Sequence, residues 1–266
     1  MGPVGTATRR RPTAPAARTH PRVTERRRAV SREMGRRRFV LLCVAAALVT
    51  LAALAWPLAH SHFFAARVVA VHGAHETPME SVLAAAGVAD APPMIDVHAG
   101  AAERALDALP WVARATVSLE WPDGVAITLS ERRVVCAVSR GTGWVELDRT
   151  GRVLADVANA PAGLVHATLP GALPAPGRRV GAGSAPALVV AATLPSVLRA
   201  NVALVEARPG ATVVLELVGG VTAELGGATQ LGAKYEDLAA IEAGAPPAPG
   251  STIDVSVPQS PTVSPS

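Results

Sequence analysis

The stretch from Phe39 to Ala59 constrains this chain more than any other: twenty-one residues without a charged side chain, entered directly from Arg36, Arg37 and Arg38. At about 1.5 Å of rise per residue it makes a helix of roughly 32 Å, which matches the ~30 Å hydrocarbon core of a bilayer. Trp56, His60, His62 and Phe63 stand at its far end, where aromatic and polar-tipped side chains favour the membrane interface. Whatever follows this segment is therefore expected to fold on the opposite side of a membrane from whatever precedes it.

Charge sets the direction. Residues 1–38 hold twelve arginines against Glu25 and Glu33, net +10, so the overall +4 leaves −6 for residues 39–266. Membrane potential and anionic lipid hold arginine on the cytoplasmic side, so the tail stays inside and about two hundred residues are exported. The competing reading is a cleaved export signal. Arg36, Arg37, Arg38 and Phe39 resemble the start of a twin-arginine signal, and Ala53, Leu54, Ala55 offer a small-x-small cleavage site. Length favours the anchor, because signal cores run about 7 to 15 apolar residues.

Composition excludes several chemistries. Twenty-four of the twenty-five basic residues are arginine, alongside abundant alanine, glycine and proline, a bias of GC-rich coding more than of nucleic-acid binding. The tail has no aromatic side chains for base stacking and reads as a disordered, lipid-contacting topology signal. Cys43 lies in the apolar run and Cys136 in the exported part, so they cannot pair, and no disulfide framework is present. The single lysine, Lys234, sits in neither a P-loop nor a Ser-x-x-Lys context. Gly181 to Ser184 fails the Gly-x-Ser-x-Gly elbow, and no His-Glu-x-x-His occurs. His60 with His62, and His72 with His75, read as loop histidines rather than metal ligands. No catalytic, cofactor-binding or metal residues are assigned, although a carboxylate pair assembled by folding is invisible at this level.

The exported part opens with a strand over residues 67–71, ending at His72 and Gly73. Thr77, Pro78 and Glu80 then match a Thr-x-x-Glu capping box for a helix that stops at Gly87. A second helix, about Ala99 to Leu109, places Ala102, Ala105, Leu106 and Leu109 on one face. Ala115, Val117, Leu119 and Trp121 alternate with polar residues, Pro122–Asp123–Gly124 turn, and Val125, Ile127 and Leu129 alternate again: a hairpin with one buried face. The order strand, helix, helix, strand, strand makes a small α+β layer. Trp111 and Trp121 read as core, and Arg132 with Arg133 as a solvated strand end.

That order closely resembles a POTRA domain of the FtsQ/DivIB bacterial cell-division family. The resemblance rests on Leu109–Pro110–Trp111–Val112 ending the second helix, Trp121–Pro122 at the turn and Glu131–Arg132 closing the last strand. It extends over residues 36–257. The chain then reads as an α+β protein of five parts: a disordered cytoplasmic tail (1–38), a transmembrane helix (39–59), a POTRA domain (64–132), a mostly antiparallel β domain (133–257) and a disordered C-terminal tail (258–266).

In the β domain, strands are expected at Val134–Ser139, Trp144–Leu147, Arg152–Val157, near Leu164–Thr168, and at Val202–Ala207, Thr212–Val218 and Val221–Leu225. A helix over Ser184–Arg199 bends near Pro195. A last helix carries Leu231, Tyr235 and Leu238, with Lys234 either exposed without a role or matching a lysine common in the family. A final strand covers Thr252, Ile253, Asp254, Val255, Ser256 and Val257.

The resemblance implies that this last strand is a sheet edge receiving a strand from an FtsB-like partner acting with an FtsL-like one. Unpaired backbone groups would supply affinity there and alternate side chains specificity. Pro258, Pro261 and Pro265 interrupt any longer ladder, so docking on a shorter edge, docking elsewhere, and an interior closing strand all stay open. The implied function is a non-catalytic, single-pass scaffold of the divisome at the septum that helps control septal peptidoglycan synthesis. It would contact other membrane proteins and lipid but no nucleic acid, cofactor or small-molecule substrate. The alternatives are a POTRA-bearing chaperone or translocation component and an anchored cell-wall enzyme.

Overall fold

The computed structural model describes residues 21–244 and 247–265. By internal contact the chain divides into two units, Met1–Ala59 and His60–Ser266.

The first unit holds helix α1, Pro21–Ala59. Its stretch Arg37–Ala59 is long and apolar enough to cross a membrane. Thr50, the hydroxyl in the middle of that stretch, donates to the Ala46 carbonyl at 2.9 Å, which satisfies it without water. Of the tail expected to be disordered, residues 1–20 lie outside the described residues, whereas residues 21–38 are helical and continuous with the apolar run. Proline at the first helical position and a run of arginine, glutamate and alanine favour helix there.

The second unit begins with β1 (Val68–His72), α2 (Met79–Ala86), α3 (Ala99–Asp107), β2 (Val112–Glu120) and β3 (Gly124–Glu131). Their sheet runs β1-β3-β2, with β1 parallel to β3 and β2 antiparallel to it. The alternation in the sequence becomes burial: Ala115, Val117, Val125, Ile127 and Leu129 face Val82, Ala102 and Leu106 from the two helices. Gly73 is required where the chain leaves β1, because its φ is +80° and a Cβ would meet the Leu129 carbonyl oxygen at 2.1 Å. Gly87 ends α2 in the left-handed region, its N–H donating to Ala84 and that of Val88 to Leu83, the expected C-terminal stop.

Three local expectations change. Thr77 does not cap α2. Its hydroxyl donates to Glu131 Oε1 at 2.7 Å, and the N–H groups of Glu76 and Thr77 donate to the same carboxylate. A carboxylate from the end of β3 thus serves the helix entrance in place of a capping box. Trp121 is 58% exposed, its ring tilted toward Phe64 at 6.4 Å, because it lies past the last buried pair of the hairpin. Ala105 is exposed too, which narrows the buried face of α3 to Ala102 and Leu106.

The outer edge of β2 is blunted from within. The N–H of Ala115 donates to Asp107 Oδ1 at 2.8 Å and that of Val117 to Glu103 Oε1 at 2.9 Å. Two carboxylates one helical turn apart on α3 occupy donors that a foreign strand would need.

Beyond Arg133 come β4 (Val134–Arg140), β5 (Gly143–Asp148), β6 (Val153–Val157), β7 (Val165–Thr168), α4 (Ala185–Thr193), α5 (Ser196–Arg199), β8 (Val202–Arg208), β9 (Thr212–Leu217), β10 (Thr222–Gly226), α6 (Leu231–Ala243), β11 (Thr252–Asp254) and β12 (Thr262–Ser264). The strands form one sheet of nine, in the order β12-β11-β10-β9-β8-β7-β4-β5-β6. The bend expected near Pro195 is the break between α4 and α5. A second apolar core, including Leu147, Leu188, Val205, Leu215, Leu238 and Ile253, joins this sheet to α4 and α6.

Two arginines couple the three-stranded layer to the nine-stranded sheet. Arg132, expected as a solvated strand end, is nearly buried: its Nε donates to the Val112 carbonyl at 2.9 Å and its guanidinium to Asp148 Oδ2 at 2.8 Å. Arg152 reaches back to the carbonyls of Ala108 and Leu109, at 2.7 and 3.1 Å, just past α3. A cation suits the carbonyl end of a helix.

Asp148 also accepts from the Thr150 hydroxyl and from the N–H groups of Thr150 and Arg152. Burial alone would raise the Asp148 carboxyl, but the Arg132 guanidinium and these donors outweigh it and hold it below the ordinary value. Glu131 is likewise held low, donors from Glu76 and Thr77 outweighing burial.

A depressed folded-state pKa makes the stabilisation complete above the unfolded value, about 4 for a carboxylate, and removes it as pH falls through the folded value. Asp148→Asn should therefore lower unfolding stability near neutral pH by about 3 kcal/mol, since Arg132 loses its buried partner. Denaturant titrations at stepped pH should show a smaller further loss below about pH 4 in the variant than in the parent. Replacing Glu103 and Asp107 together by alanine leaves two edge donors open, and light scattering should then detect self-association that the parent lacks.

Candidate functional site

The end of the nine-stranded sheet is built on α6. Lys234, the sole lysine, is 2% exposed, and its Nζ donates to the carbonyls of Leu225 at 2.7 Å and Gly227 at 2.8 Å. These carbonyls flank Gly226, where β10 shifts register against β9 and the regular ladder fails. A flexible ammonium with three donors satisfies them from the helix side. Of the two readings left open for Lys234, the exposed one is thereby excluded. Burial lowers the Lys234 ammonium, and the Asp254 carboxylate on β11 opposes that shift. On the same helix the Tyr235 hydroxyl lies 3.1 Å from Thr193 Oγ1 and 3.3 Å from the Val190 carbonyl, fastening α6 to α4.

The six residues expected to form an edge strand divide into two groups. Thr252, Ile253 and Asp254 are β11, parallel to β10 in the register Thr222–Thr252, Ala223–Ile253 and Glu224–Asp254. The Val255 N–H adds one more bond, to the Glu224 carbonyl at 3.0 Å, and Ile253 and Val255 are fully buried. Ser256 and Val257 leave the ladder. The Ser256 N–H donates to Asp254 Oδ1 at 2.8 Å, an Asx turn that ends the strand. Hydrogen bonds from Ser256, side chain first, hold the Asp254 carboxyl below its ordinary value, with a smaller pull from Lys234.

Beyond the turn the chain comes back. The Gln259 N–H donates to Asp237 Oδ2 at 3.0 Å, and Thr262–Ser264 pair antiparallel with Asp254–Thr252 as β12. The segment expected as a disordered tail from Pro258 thus supplies the outermost strand, and β11 is the second strand in. All three β12 residues are exposed, and Pro261 and Pro265 bound the strand at either end. The alternation Thr262, Val263, Ser264 was its only sequence signal, too short to stand out among the prolines.

Among the described residues no three metal-ligating side chains converge. Cys136 is buried on β4, between β7 and β5. Burial first, then the Asp148 charge, push its thiol up to about 12, so it stays protonated. A concavity at the junction of the two layers is lined by Arg132, Arg133, Asp148, Arg149, Val135 and Val189.

The description "POTRA domain, FtsQ-type" matches residues 64–132, the β1 to β3 layer. "Cell division protein FtsQ" of Streptomyces bingchenggensis is 30% identical over 231 residues, 86% of this chain and 86% of that protein. The chain belongs to the FtsQ cell-division family. The FtsQ of Mycolicibacterium smegmatis is 32% identical over 224 residues, covering 84% of this chain and 64% of that one. With the FtsQ of Streptomyces griseus the likeness is local, 35% over 97 residues, 36% of this chain and about half (47%) of that protein. The extracytoplasmic domain of DivIB from Geobacillus stearothermophilus, a solved structure, aligns over 43% of this chain and 93% of its own length, with 20% identity and a TM-score of 0.33. Membership in the FtsQ family and the one helix among the described residues long and apolar enough to cross a membrane together fit a single-pass membrane protein.

Lys234→Met keeps the bulk of the side chain and removes its donors, leaving the Leu225 and Gly227 carbonyls without their partner. The variant should lose about 2 kcal/mol. Hydrogen exchange should locate the loss in residues 222–226 and 252–255, with β4 to β6 unchanged.

Proposed function

We infer that this FtsQ-family protein is a bitopic scaffold of the bacterial division machinery, with its N-terminus cytoplasmic and its folded unit outside, concentrated at the septum. It performs no catalysis. It gathers FtsB-like and FtsL-like membrane proteins and through them helps control septal peptidoglycan synthesis, and its docking element is the sheet end at Thr252–Val257. The observation that carries this reading is the construction of that sheet end. β10 and β11 are anchored by Lys234 and by a buried apolar face, while only three exposed residues lie outside them.

Strand addition suits such a surface, because main-chain groups supply affinity and alternate side chains supply selectivity. The three-stranded layer supports the same preference. Its β2 edge is occupied by Glu103 and Asp107, which leaves β1 as the other edge of that layer.

A photo-reactive residue at Thr252 or Val257 in living cells should yield an adduct with an FtsB-like protein at dividing septa, and one at the blunted edge, Arg114, should not. Depletion should give long undivided cells or branched filaments with intact protein export. Adducts from Arg114 alone, or export defects with normal septa, would remove the assignment.

A further inference from the structure

We propose that β12 is a displaceable cap. The chain's own segment Thr262–Ser264 occupies the β11 edge as a placeholder, and an incoming partner strand takes its position by exchange. This rests on the docking role assigned above to the sheet end. The two sides of β11 differ in how they are held. Toward β10, the pairing continues through Val255, the apolar side chains of Ile253 and Val255 are fully buried, and Lys234 secures the end of β10. Toward β12 there are three paired positions, Val263 is 47% exposed opposite the buried Ile253, and no side-chain hydrogen bond or ion pair joins the two strands. Proline on either side of β12 prevents the ladder from lengthening.

The cap also fits β11 poorly in charge, and this specifies the occupant that would replace it. Glu224 and Asp254 stand side by side in register, so their side chains share one face of the sheet, and β12 sets the neutral Thr262 opposite Asp254. A strand carrying arginine or lysine at that position would set a cation beside Asp254 and Glu224, and an apolar residue bulkier than Val263 opposite Ile253 would bury more of that face. The partner is thus an extended polypeptide segment alternating apolar and basic residues. A tethered cap competes at high effective concentration, so the partner's apparent affinity falls with the fraction of molecules whose edge is open.

Full-length protein in nanodiscs gives the direct measurement. Amides of residues 262–264 should exchange at least a hundredfold faster than those of β9 and β10. Thr262→Arg should slow them, and Val263→Pro should remove their protection while leaving residues 213–226 unchanged. Protection of β12 equal to that of β10 overturns the cap.

The functional arm follows adduct formation from a photo-reactive residue at Val257. Val263→Pro, or deletion of residues 260–266, should raise the partner yield severalfold. A disulfide joining the register neighbours through Thr252→Cys and Ser264→Cys should suppress the yield, and reduction should restore it. Equal yield from parent, deletion and locked protein overturns exchange while keeping the docking edge, and reduced yield on deletion overturns it by making β12 part of the interface. No adduct from any variant, with exchange behaving as expected, removes the docking edge itself.

Discussion

The carboxylate of Asp148 is the point on which the folded unit turns. It lies nearly buried at the end of β5, and a buried carboxylate without donors is too costly to persist. Four donors from two directions make it tolerable: the Thr150 hydroxyl and two backbone N–H groups close the turn after β5, and Arg132 arrives from the end of the three-stranded layer. One side chain therefore satisfies a local turn and a long-range junction at once. The turn is also what aims Arg152 at the carbonyls past α3, so the second link between the layers depends on the first.

That dependence explains why two separate apolar cores belong to one compact unit. Each core would be content alone; the junction between them is polar and geometric. A charge-assisted junction has angular preferences that an apolar contact lacks, because Arg132 must meet the Val112 carbonyl and Asp148 together. One consequence is that surfaces on the two layers hold a defined relation, so a partner touching both would not have to order them first.

Periodicity made most of the fold legible. Alternation located β3 and the strands from Val134 to Leu225 to within a residue and β2 to within three, and Gly73, Gly87 and Pro195 marked stops that backbone geometry enforces. The pattern could not say which polar residues would be buried, because that depends on what packs against them. Arg132 looks like a solvated strand end until Asp148 is brought beside it, and Lys234 looks exposed until Gly226 breaks the ladder beneath it. Thr77 had the sequence of a cap but was taken by Glu131, fifty-four residues away. Trp121 failed in the other direction, since a strand's alternation does not reveal where the covering layer ends. Thr252–Asp254 was legible as a strand, but neither its early end at the Ser256 turn nor the three-residue return strand among prolines carries enough pattern to be seen.

The β2 and β11 edges illustrate a single problem solved in two ways. An exposed strand edge invites any chain with unpaired backbone groups, and proteins that work among membrane neighbours cannot leave such edges open. On β2 the solution is permanent, since Asp107 and Glu103 are fixed on a helix that also carries the core residues Ala102 and Leu106. On β11 the covering piece is three exposed residues, holding no core residue and bounded by prolines, so its departure need not disturb Ile253, Val255 or Lys234. The difference in what each cover is attached to separates an edge that is closed from an edge that is only occupied.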